Sequence, residues 1–134
     1  MKLRSITGVK NLKGKRVLVR VDANVPVVNG RVVDGPHGRV AQAAKGIAWL
    51  AKKGARVVVI AHLGRPNGKK KTGESLKPVA ARLEQLLKKK VLFGKSEGLK
   101  NGQIALLENL RFDAGEEKND KKFAADLAKL ADIA

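Results

Sequence analysis

A chain of 134 residues, 43% of them hydrophobic, is long enough to bury one core and too short for two full domains. It has no Cys, which excludes disulfides and thiolate-bound metals, and its apolar runs are too short for a helical membrane span. The formal charge of +17 makes a surface that attracts phosphates, nucleic acid and anionic lipid in a salt-dependent way, while 3% aromatic content leaves little on which single-stranded bases could stack.

Without Cys and without a signal-like N-terminus, the chain is expected to be soluble and cytoplasmic. Residues 1 to 15 are polar and basic and read as a turn-rich lead-in. The run RVLVRVD, Arg16 to Asp22, is a first strand, and Pro26 in the following ANVP stops regular pairing, so Asp22 and Asn24 stand where a strand becomes a loop. Residues 27 to 38, with an Asn29-Gly30 turn dipeptide and a Gly-Pro-His-Gly segment, predict a loop or small hairpin.

From Arg39, Val40, Ala43, Ala44, Ile47, Leu50 and Ala51 recur at three- and four-residue spacing, and Gly54 closes the pattern after Lys52 and Lys53. This is an amphipathic helix. The continuous run Val57 to Ala61 follows, a strand buried on both faces, which leaves through His62, Leu63, Gly64, Arg65 and Pro66. Strand, helix and strand make a βαβ unit. Residues 67 to 74 form an exposed basic loop. Ser75 is the expected cap of a second helix whose stripe is Leu76, Val79, Ala80, Leu83, Leu86 and Leu87, ending at Lys88 to Lys90. Val91 to Gly94 and Gln103 to Glu108 are a third and a fourth strand. Asp120 caps a last helix carrying Phe123, Leu127 and Leu130 on its inner face.

Alternating strands and helices predict an α/β domain: a three-layer αβα, Rossmann-like parallel sheet. In such sheets ligands sit beyond the carboxyl ends of the strands, and here those ends carry Asp22 and Asn24, His62 and Arg65, and Arg111. Two guanidinium groups and an imidazole on one rim suit a phosphate or carboxylate, with Asp22 and Asn24 meeting a hydroxyl beside it. The chain has no GxxxxGK[ST] and no GxGxxG, so no nucleotide cradle is visible, and its two His and scattered carboxylates lack metal-ligand spacing.

The blocks RVDANVP (20 to 26), HLGRP (62 to 66), SLKPVA (75 to 80), LLENLRF (106 to 112), GEEKND (115 to 120) and LADIA (130 to 134) resemble, in order and over nearly the whole chain, the N-terminal domain of phosphoglycerate kinase. The resemblance implies a lobe of a two-lobed glycolytic kinase that moves a phosphoryl group between 1,3-bisphosphoglycerate and ADP. It implies that Asp22 and Asn24 bind the glycerate part, that His62, Arg65 and Arg111 hold the non-transferred phosphate, and that Arg39 is the catalytic arginine on the transferring phosphoryl group. Counting back from HLGRP selects Arg39 for that role; counting forward from RVDANVP selects His37, so the chain carries a short insertion there. Ala23 stands where the family usually has Phe.

On this reading residues 1 to 134 are an incomplete N-terminal domain, truncated before its last sheet strand, that holds no cofactor. Mg-ATP or Mg-ADP belongs on the missing C-terminal lobe. The expected partners are 3-phosphoglycerate or 1,3-bisphosphoglycerate and the C-terminal kinase lobe, with no membrane. The chain alone is expected not to transfer phosphate, and its exposed sheet edge favours self-association. Two alternatives stand beside this one: a basic module with non-specific affinity for nucleic acid, and an engineered or structural fragment without activity.

Overall fold

The computed structural model describes residues 11–22, 27–29, 31–35, 38–62, 75–109, 129 and 132. In chain order they form β1 (Arg16–Arg20), β2 (Val27–Val28), β3 (Arg31–Val32), α1 (Arg39–Lys52), β4 (Arg56–Ile60), α2 (Lys77–Leu87), β5 (Val91–Phe93) and β6 (Ile104–Leu106). Every strand and helix predicted up to residue 109 is present. The two later strands are shorter than the apolar pattern suggested, and the predicted last helix with Asp120, Phe123, Leu127 and Leu130 lies outside the described residues.

β4 is the interior strand on which the rest is assembled. The sheet order is β1-β4-β6-β5, and all three pairings are parallel. Val57 stands beside Val17 on one side and Ile104 on the other, and Val59 beside Val19 and Leu106. Successive side chains of a strand point to opposite faces. Val57 and Val59 therefore face the core that contains α1 and α2, while Val58 joins Leu99 and Ala105 on the opposite face. All three valines are fully buried, as a strand covered on both sides requires.

Both helices pack against the same sheet face through the predicted stripes: Val40, Ala44, Ile47, Leu50 and Ala51 from α1, and Val79, Ala80 and Leu83 from α2. α1 stops at a Schellman motif. The Gly54 N–H donates to the Ala51 carbonyl at 2.9 Å and the Ala55 N–H to the Leu50 carbonyl at 3.2 Å, which requires the left-handed φ of 84° that Gly54 adopts. The β2–β3 hairpin is antiparallel and packs its Val27 and Val32 onto the core.

The start of α2 corrects the sequence reading. Leu76, not Ser75, occupies the cap position, and the carboxylate that serves this end comes from Glu108, just beyond β6. Glu108 accepts the Leu76 N–H at 2.8 Å and the Ser75 hydroxyl at 2.7 Å, while the Ser75 hydroxyl oxygen accepts the Lys77 N–H at 3.2 Å. A full carboxylate from a neighbouring strand binds amide donors more strongly than a local hydroxyl, so it takes the end of the helix.

Ile47 is fully buried between α1 and the sheet. Ile47→Ala is expected to cost about 2–5 kcal/mol, since it removes buried methylenes and leaves a cavity that the fixed sheet cannot collapse. Urea unfolding would read this as a lower midpoint with an unchanged slope.

Candidate functional site

Parallel pairing of β1 with β4 brings their carboxyl ends to one rim, and the N-terminus of α1 lies beside them. There Arg20, Val21 and Asp22 from the end of β1, Arg39 from the first turn of α1 and His62 from the exit of β4 line an open cavity of about 340 Å³. Three of the sequence-predicted residues, Asp22, Arg39 and His62, thus converge on one space. Asn24, Arg65 and Arg111 lie outside the described residues. Arg20, the last residue of β1, joins the same lining and adds a second guanidinium.

The Arg39 guanidinium donates to an Asp22 carboxylate oxygen at 3.4 Å. With these side chains 57% and 62% exposed, solvent screens the pair, and it is worth at most about 1 kcal/mol. Such a contact orients Arg39 across the cavity mouth and yields readily to an anion. An entering phosphate offers a guanidinium a bidentate partner that a single 3.4 Å contact does not.

What holds Arg39 in place is the backbone beneath it. The Asp34 side chain is 1% exposed, and its two oxygens accept the Val40 N–H at 3.3 Å and the Ala41 N–H at 3.1 Å. It thereby caps α1 in place of Gly38, which occupies the cap position and has no side chain to do so. Arg82 of α2 secures Asp34 from the far side, its Nε 3.4 Å from the carboxylate and its Nη2 3.3 Å from the Asp34 carbonyl. A Cβ at Gly38 would overlap the Asp34 carboxylate, so glycine is required there for steric reasons.

This cap decides how the rim can bind an anion. The Val40 and Ala41 amides, which a bare helix N-terminus would offer to a phosphate, are already occupied by Asp34. Attraction at this point of the rim is left to side chains, Arg20 and Arg39, with His62 opposite. At the third strand end, Glu108 ties β6 to α2 and also accepts the Asn109 N–H at 2.8 Å, and Asn109 is buried. Sequence reasoning passed over Asp34, Arg82 and Glu108 because each works on a partner distant in the chain. Among the described residues no group of three or more His, Cys, Asp or Glu is placed to hold a metal ion.

The phosphoglycerate kinase family model matches residues 6–134. The chain is 47% identical over 142 residues to the phosphoglycerate kinase of Bradyrhizobium diazoefficiens, covering 98% of this chain and 35% of that protein. It is 45% identical over 133 residues to the enzyme of Thermosipho africanus, covering 92% and 33%. Among solved structures, phosphoglycerate kinase from Coxiella burnetii superimposes with a TM-score of 0.87 at 36% identity, covering 98% of this chain and 34% of that one. The enzyme from Pyrococcus horikoshii gives 0.75 at 29%, covering 91% and 33%. The chain therefore spans about a third of the length of the relatives it matches.

Gly38→Ala is expected to lower stability by about 1–3 kcal/mol, because displacing the Asp34 carboxylate leaves two amides and the Arg82 guanidinium without it. Asp34→Ala should cost a similar amount. Since both act through one contact, the double variant should lose clearly less than the sum of the two, which a double-mutant cycle in urea would measure.

Proposed function

Since the chain belongs to the phosphoglycerate kinase family, we propose that it is the phosphoglycerate-binding lobe of such an enzyme, with its substrate in the cavity between Asp22, Arg39 and His62. In the reaction, the bond between the C1 carboxyl oxygen of 1,3-bisphosphoglycerate and its phosphorus breaks. A bond forms from that phosphorus to a terminal oxygen of ADP, giving ATP and 3-phosphoglycerate.

The observation that carries this reading is the convergence of two guanidinium groups, one imidazole and one carboxylate on a single open cavity at the strand ends. Transfer of this kind demands little covalent chemistry from the protein and much positioning and charge stabilisation. Arg39, at the mouth and held by an exchangeable contact to Asp22, is suited to meet the equatorial oxygens of the moving group. Asp22 is suited to accept from the glycerate hydroxyl, with Asn24 beside it. His62, Arg65 and Arg111 take the phosphate that stays behind. The Mg-nucleotide is assigned to the C-terminal lobe of the family, so the chain alone transfers no phosphate.

Calorimetric titration with 3-phosphoglycerate at low salt tests the binding role. Arg65→Ala is expected to weaken binding about tenfold or more, the usual scale for losing a charge-assisted contact to phosphate. Unchanged affinity would remove Arg65 from the site. In a coupled ATP assay the chain alone should give no turnover, and turnover should appear when a C-terminal lobe is added. With that complement, Arg39→Ala should depress kcat far more than it raises KM.

A further inference from the structure

The parallel sheet has a second pole, where the strands begin and the helices end, and its chemistry is not used by the rim. The segments that meet there are hydrogen-bonded into one surface. The Gly14 N–H donates to the Gly54 carbonyl at 3.0 Å, the Arg56 N–H to the Lys15 carbonyl at 2.8 Å, and the Gly102 N–H to the Ala55 carbonyl at 2.9 Å. Lys89 reaches the same place, its Nζ 2.7 Å from the Gly102 carbonyl.

Each of these segments carries exposed cations. The lead into β1 brings Lys13, Lys15 and Arg16, and the end of α1 brings Lys52 and Lys53. Lys88 to Lys90 follow α2, and Lys100 precedes β6. Cations at helix C-termini suit the dipole, which accounts for those on α1 and α2 as local stabilisation. It does not account for Lys13, Lys15, Arg16 or Lys100, which sit on no helix. The carboxylates placed here accept from backbone amides: Glu84 from Val91 at 3.0 Å and Asp132 from Arg16 at 3.0 Å. The cations that make other contacts here spend them on neutral groups, as Lys89 does on a carbonyl and Arg56 on the Asn101 side-chain oxygen at 3.3 Å. These two carboxylates keep their charge, but the exposed lysines and arginine named here outnumber them, so the pole is positive on balance.

We infer that this basic pole is a docking surface for the phosphate backbone of double-stranded nucleic acid. Four strand starts about 4.8 Å apart span about 14 Å, close to the width of a duplex major groove, so flanking lysines can meet phosphates on both of its walls. A single strand is a poorer fit. Among the described residues the aromatic side chain near this pole is Trp49, which is half-buried and has Lys53 Nζ 5.6 Å from its ring centre, so it offers little for stacking. A membrane is a poorer fit as well, because among the described residues the large apolar side chains that stand exposed, Val28 and Val33, lie toward the rim. Binding of this kind is independent of base sequence.

Fluorescence anisotropy of the full chain with a labelled DNA duplex of about two helical turns tests the proposal. Affinity should fall with salt with a log–log slope of about −4, as displacement of counterions from four or five phosphates requires. Lys52→Glu/Lys90→Glu reverses two pole charges and should weaken binding about tenfold or more. Arg31→Glu/Lys77→Glu makes the same change in net charge at the other end and should cost less than about threefold. Circular dichroism would confirm that both variants fold. Equal losses in the two pairs would show that net charge alone governs binding and would overturn the pole as a site. Tighter binding to phosphatidylserine vesicles than to the duplex would overturn the choice of partner.

Discussion

The arrangement depends on β4 being hydrogen-bonded on both edges and covered on both faces. A strand in that position has no freedom to slide, because a one-residue slip would exchange Val57 and Val59 with Val58 between two cores of different shape. Its register fixes β1 on one side and β6 on the other, so the heights at which these strands leave the sheet are fixed too. His62 stands beside Asp22 and Arg20 because Ile60 stands beside Arg20. The polar rim is a consequence of apolar packing several residues below it.

The same logic extends to the helices through carboxylates that bridge elements. Asp34 joins the start of α1 to α2 through Arg82, and Glu108 joins the start of α2 to the end of β6. Both bridges lie at the rim end, where helix amides would otherwise be unsatisfied. They make the helix starts move with the strand ends. Arg39, one residue past the cap, inherits that rigidity in its backbone while its side chain stays exposed and able to change partner. On the function proposed above, that combination of a fixed base and an adaptable charged tip is what phosphoryl transfer would require of Arg39.

Much of this was legible in the sequence. The Val57 to Ala61 run announced a doubly covered strand, and the spacing of Val40, Ala44, Ile47, Leu50 and Ala51 announced α1 with its terminator at Gly54. Periodicity reports burial, and burial is what built these elements. The positions of Asp22 and His62 at strand ends followed from where the apolar runs stop. The strand order with β6 between β4 and β5 was not legible, since hydrophobic runs carry no record of which neighbour they pair with. Nor were the caps. Nothing near Ser75 points to a carboxylate thirty-three positions away, and nothing near Asp34 points to Arg82. Asp34 reaches α1 across a Gly-Pro-His-Gly segment whose spacing departs from a local capping box.

The two ends of the sheet also differ in how they carry charge. At the rim, guanidinium groups meet carboxylates: Arg39 with Asp22, and Arg82 with Asp34. At the opposite pole the carboxylates accept from backbone amides, and the lysines face solvent. A parallel α/β topology favours this division, because it gathers every helix C-terminus at one end, where positive charge is stabilised. A five-residue strand is about 16 Å long, roughly two screening lengths at physiological salt, so the pole adds little to the field felt by a small anion at the rim. The surplus charge is therefore tolerated without distorting the site. A small anion at the rim would be selected by short-range geometry, while the basic pole proposed above is where a large polyanion would be attracted.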